Sequence, residues 1–116
     1  MEFAVSRDGT TLVTLHEGTD TTACDAATAE LTANLESLEA EGRIAGWTIE
    51  DAEVYEHPTA PFDPYTITVA FTVTVTVEAD DPERATEIGA SAIDDALENA
   101  GVDAVSYTSA PATSAT

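Results

Sequence analysis

Lysine is absent from this chain, and its only fixed cations are Arg7, Arg43 and Arg84. Three separated arginines cannot form the basic stripe that neutralises phosphates, so no nucleic-acid partner is expected. A lone cysteine, Cys24, excludes an internal disulfide. No stretch approaches the roughly 20 apolar residues of a membrane helix. Met1-Glu2-Phe3-Ala4 has neither the basic start nor the apolar run of a secretion signal. The expectation is a cytoplasmic protein with no membrane partner. Soft metal ligands are limited to His16, His57 and Cys24, and none stands at i, i+4 spacing or in a C-x-x-C pair. Asp80-Asp81 lacks the spacing and glycine of a calcium loop. Gly42-Arg43-Ile44-Ala45-Gly46 lacks the third glycine and the Lys-Ser/Thr pair of phosphate-binding loops. Gly89-Ala90-Ser91-Ala92 lies in a helical pattern and not on the strand-to-helix turn of a serine nucleophile. No cofactor, metal or catalytic residue is nominated.

What is abundant is acid. The chain carries 23 Asp and Glu residues and a formal charge of -20. Such a surface repels itself in dilute buffer, and like charges even stand at helical contact spacing, as Glu83 with Glu87 and Asp94 with Glu98. Molar salt, where the screening length falls to about 3 Å, makes it tolerable. With 43% hydrophobic residues and acids spread through periodic segments, a disordered acidic tail does not fit. A nucleic-acid mimic would gather its acids on one face. The lysine-free, evenly acidic pattern resembles that of halophilic archaea; this is a likeness of lifestyle and not of family.

The length of 116 residues fits one domain. Phe3-Ala4-Val5 and Leu12–Leu15 read as strands joined by an Arg7-Asp8-Gly9 turn, an N-terminal hairpin. A helix follows to about Glu41, with Cys24, Ala27, Leu31, Leu35 and Leu38 on one stripe and Gly42 at its end. A strand from Trp47 to about Glu56 slips phase between Ile49 and Ala52, the mark of a bulge. The proline-rich turn 57–64 precedes the clearest strand, 65–78, where apolar residues alternate with threonines. Asp81 caps a second helix with Pro82 at its first position. That helix is expected to bury Ala85, Ile88, Ala92, Ala96 and Ala100, with Gly101 as its stop. Val102 to Tyr107 reads as the last strand. The expected fold is α+β: a two-layer sandwich, the ferredoxin-like split βαβ with an extra hairpin strand (ββαββαβ). The domain spans 1–109, and 110–116 is a low-complexity tail.

Two groups of residues are candidate sites. Trp47, Tyr55, His57 and Tyr65 bracket the proline-rich turn, where aromatics suit a small-ligand pocket. The stretch from Trp47 through 78 is similar to the Trp-containing strand pair of dodecins, small flavin-binding rings. The chain is longer than theirs, adds a helix and a strand, and lacks the matching polar pattern after Trp47, so that family is not adopted. The second group, Thr66, Thr68, Ala70, Thr72, Thr74 and Thr76, forms a strand face without a carboxylate before Glu78, in a carboxylate-rich protein. The strand is also too long for the second helix alone to cover. Both features point to contact with another subunit. The functional expectation is a non-enzymatic protein that self-associates as a homodimer or larger homo-oligomer, in an accessory, regulatory or viral structural role. The alternatives are a small-molecule (flavin-type) binder, and, by fold analogy alone, a dimeric α+β-barrel enzyme with His57 or His16 as base.

Overall fold

The computed structural model describes residues 1–15, 20–56, 64–102 and 105–115. Its elements are β1 (Glu2–Leu15), α1 (Asp20–Ala40), β2 (Gly46–Glu56), β3 (Tyr65–Glu78), α2 (Pro82–Asn99), β4 (Ser106–Tyr107) and β5 (Ala112–Ala115). The fold is α+β, a five-stranded antiparallel sheet in the order β2-β3-β1-β4, with β5 also paired to β1. Both helices lie on one face of the sheet, the face to which Phe3 and Val5 of β1 and the odd-numbered residues of β3 point.

The expected N-terminal hairpin does not form. β1 is one unbroken strand of 14 residues, paired with β3 from Glu2 opposite Glu78 to Leu15 opposite Tyr65 without a register shift. Arg7-Asp8-Gly9 has turn composition, but the period-two alternation from Phe3 to Leu15 runs straight through it. The polar residues at the centre find partners within the fold. Asp8 meets Thr72, and the Arg7 guanidinium stacks 3.8 Å over the Tyr107 ring. The fifth strand comes instead from the other terminus: Ala112–Ala115, in the low-complexity stretch, pairs with Phe3–Ser6. On the opposite edge, β2 is kinked by register shifts at Ile49/Asp51 and Val54/Glu56, the first where the apolar phase slips. Between Val102 and Tyr107 the described strand is only Ser106–Tyr107; residues 103–104 lie outside the described set.

The helix ends follow local chemistry. Asp81 accepts a 2.8 Å bond from the Arg84 backbone N–H, and Pro82 opens α2 where no donor is missed. Gly42 and Gly101 take φ of 75° and 79°, a region costly for residues with a Cβ. Each lets the chain turn back in a paired cap: Arg43 N–H to Leu38 and Val102 N–H to Leu97, both at 3.0 Å.

β1 and β3 would each run about 46 Å at 3.3 Å per residue, and the molecule is elongated, 55 × 25 × 20 Å. Neither helix spans that length alone, so they divide it. α2 packs on β1, β3 and β5, and α1 chiefly on β2 and β3. Every odd-numbered β3 residue from Ile67 to Val77 is thereby buried within one chain, so the expected overhang needing a second subunit is absent. α1 buries Ala23, Ala27, Leu31, Leu35 and Leu38, close to the expected stripe, with Cys24 half-buried at its margin. α2 is rotated from its expected phase. It buries Ala85, Gly89, Ile93, Ala96 and Leu97, leaving Ile88 exposed and Ala92 half-buried. The cause is Gly89, where the helix rests directly against Val5 and no side chain fits between.

Candidate functional site

The sheet face turned away from the helices is open, and β3 runs along its centre. Alternation puts Thr66, Thr68, Ala70, Thr72, Thr74 and Thr76 on this face, all half-buried except exposed Thr76. The ladder registers supply their neighbours. From β1 come Ala4, Ser6, Asp8, Thr10, Leu12 and Thr14. β2 sets Thr48 opposite Thr72, Asp51 opposite Ala70 and Glu53 opposite Thr68. β5 adds Ser114 opposite Ala4 and Ala112 opposite Ser6.

The structure therefore corrects one part of the sequence reading: the strand carries no charge before Glu78, but the face does. Thr72 Oγ1 lies 2.6 Å from Asp8 Oδ1 and 2.6 Å from Glu50 Oε1. Its single proton serves one carboxylate at a time. Asp51, Glu53, Thr10, Thr68 and Ala70 line a shallow hollow of about 120 Å³ beside it. Between Asp8 and the Glu2–Glu78 pair at the start of β1 the face turns neutral. There Ser6 Oγ and Thr74 Oγ1 share a 2.7 Å hydrogen bond, among Ala4, Thr76, Ala112 and Ser114. A stretch of small uncharged side chains thus lies between the acidic centre and the Glu2–Glu78 pair. Strand pairing across the sheet, which one sequence pattern does not reveal, decides where that boundary falls.

The aromatic group is not assembled as a unit. Trp47 is half-buried against the core and opposite Val73, whereas Tyr65 stands opposite Leu15. Eight residues of β3 separate the two positions, about 26 Å at 3.3 Å per residue. Tyr55 is 64% exposed beside the second bulge of β2. His57 and His16 lie outside the described residues.

A cavity of about 430 Å³ that the sequence did not signal opens where α1 and the end of α2 meet β1. Val13, Leu31 and Val102 give it apolar walls, and Thr11, Glu30 and Asn34 give it polar ones. Among the described residues no group of three or more His, Cys, Asp or Glu side chains is placed to hold a metal ion. Nor does any described helix have the length and apolarity to cross a membrane.

One further cluster ties the short β4 to the rest. The Tyr107 hydroxyl donates to Asp94 Oδ1 at 3.0 Å, Arg7 covers the ring, and Arg7 Nε donates to the Ser109 carbonyl at 3.3 Å. Burial first, then the hydrogen bond to Asp94 and its negative charge, push the Tyr107 phenol up to about 12, opposed by Arg7. This cluster links β1, α2 and β4.

No family model, curated protein or solved structure matches this chain.

Proposed function

We propose that this chain is a non-enzymatic protein of a high-salt interior that self-associates through the open face of its sheet, in an accessory, regulatory or structural role. We also propose that its topology is the ferredoxin-like split βαβ. The strand order β2-β3-β1-β4 with every neighbour antiparallel supports the topology. The charge of -20 without lysine supports the high-salt setting.

One observation carries the self-association reading. In a chain where solvated positions are dense with carboxylates, the stretch of the open face between Asp8 and the Glu2–Glu78 end is built from Thr, Ser and Ala. Small neutral side chains let a second sheet approach to the roughly 10 Å of face-to-face packing, and one face contacting its own copy is self-complementary about a twofold axis. The β2 edge is a poor alternative, since Glu50, Asp51 and Glu53 and two bulges guard it against strand pairing. The test is particle mass by light scattering in molar KCl, before and after carboxylates are placed on the neutral positions.

A second reading, small-ligand binding, is favoured by the cavity of about 430 Å³. That volume falls within the roughly 300–1,000 Å³ of small-molecule sites. Its readout is an organic molecule carried through purification and released on unfolding.

A further inference from the structure

Helix α2 presents to solvent a side that the sheet does not use. Arg84, Glu87, Ile88, Ser91, Ala92 and Asp95 follow one another at three- and four-residue spacing and line a single open hollow of about 520 Å³. Ile88 stands in this row as an exposed aliphatic side chain, 39% accessible, in a protein whose other helix exposes no large apolar residue. The charges at the two ends are opposite in sign, and both are misplaced for an isolated helix. Arg84 sits in the first turn, at the positive end of the macrodipole, and Asp95 lies towards the negative end, where no basic residue occupies the last turn.

Reversing the row about the midpoint between Gly89 and Ala90 maps it onto itself. Arg84 falls on Asp95, Glu87 on Ala92, and Ile88 on Ser91. We infer that this row is a second contact surface, and that its occupant is α2 of another copy, packed antiparallel about a twofold axis at the level of Gly89 and Ala90. In that arrangement the Ile88 knob of each copy enters the partner's hollow beside Ser91 and Ala92. Each Arg84 meets an Asp95 together with the negative end of the partner's helix, and each Asp95 meets the positive end. Charge complementarity thus arises from one sequence against itself, as an isologous contact requires. In molar salt the ion pairs are heavily screened, so Ile88 anchors the contact and the charges set its direction. This inference rests on the self-association reading above and deepens it. The α2 surface lies on the opposite layer from the open sheet face, so a copy using both contacts has two neighbours and builds assemblies larger than a dimer.

The experiment is light scattering in molar KCl at tens of micromolar protein, on the wild type, Ile88→Asp, Arg84→Asp, the charge swap Arg84→Asp/Asp95→Arg, and the sheet-face variant Thr74→Asp/Thr76→Asp. The wild type is expected to exceed a dimer. Ile88→Asp and Arg84→Asp should each lower its mass at least twofold, and the swap should recover mass relative to Arg84→Asp. Because a misfolded chain would not be rescued by a second substitution, that recovery separates a lost contact from a lost fold. If both single variants keep the wild-type mass, the α2 contact is overturned, whatever the sheet-face variant does. A swap without recovery overturns the antiparallel register. Mass that falls in the α2 variants but not in Thr74→Asp/Thr76→Asp supports the α2 contact and removes the sheet-face one. A monomeric wild type overturns both.

Discussion

Gly89 of α2 lies so close to Val5 of β1 that a Cβ at position 89 would overlap the valine side chain. Helix propensity alone favours alanine over glycine by about 1 kcal/mol. Forcing an extra methyl into a packed core costs ~1–3 kcal/mol, and Val5, fully buried, has nowhere to move. Because the added Cβ would overlap three Val5 carbons, the cost lies at the upper end, and Gly89→Ala is expected to destabilise the fold by about 2 kcal/mol net, seen as a lower urea midpoint in molar KCl. An unchanged or raised midpoint would mean that α2 does not rest on β1 there.

Tyr107 should make stability fall at high pH. Its folded pKa of about 12 lies above the ordinary value of 10. The stabilisation from the neutral phenol is thus complete below about pH 10 and is lost as pH rises to about 12. Tyr107→Phe removes the hydroxyl that titrates and the bond to Asp94. The variant is expected to be slightly less stable at neutral pH, and its unfolding midpoint should fall less between pH 10 and 12 than the wild type's. Parallel profiles for the two proteins would show that Tyr107 does not carry this dependence.

Folding itself should depend on salt. The charge of -20 is met by little visible pairing: Arg43 reaches Glu41 at 3.0 Å, and both are solvent-exposed, where such pairs are worth little. Screening by molar KCl should raise the thermal midpoint seen by circular dichroism well above its value in dilute buffer. An equal midpoint in both would remove the high-salt reading.

Cys24 is half-buried on α1 against the core. Partial cover should slow its modification by a thiol reagent in molar KCl at least tenfold relative to the unfolded chain, since access limits thiol reactivity. Equal rates would show that the start of α1 is open in solution.

Much of this architecture was legible in the sequence, and the failures share a cause. The alternation from Tyr65 to Val77, the Asp81-Pro82 helix start, the Gly42 and Gly101 stops, the α1 stripe and the phase slip in β2 are local signals, and each appears in the structure. Arg7-Asp8-Gly9 was misleading because its turn chemistry competes with a full-length ladder to β3, and that ladder is a long-range partner. The phase of α2 was misleading because Ile88 and Ala92 form as good an apolar row as Ile93 and Leu97. The close approach of Gly89 to Val5 selects between them. The threonine row was visible as a strand face, but Asp8, Glu50, Asp51 and Glu53 reach its flanks only through register and a bulge. Trp47 and Tyr65 looked adjacent because the turn 57–64 joins their strands, yet they stand towards opposite ends of one long β2–β3 pair.

The central claim is that the neutral part of the open sheet face meets another copy. Thr74 and Thr76 are the positions to change, because they face Ser6 and Ala4, whereas Thr72 faces Asp8 and Glu50 and Thr68 faces Glu53, where an aspartate would strain the single chain as well. The decisive measurement is the light-scattering mass of wild type and Thr74→Asp/Thr76→Asp in molar KCl, with circular dichroism confirming that both are folded. Buried unpaired carboxylates are costly, so the account predicts an oligomeric wild type and a variant of half that mass or less. A folded wild-type monomer at tens of micromolar, or an oligomer whose mass ignores both aspartates, would contradict it.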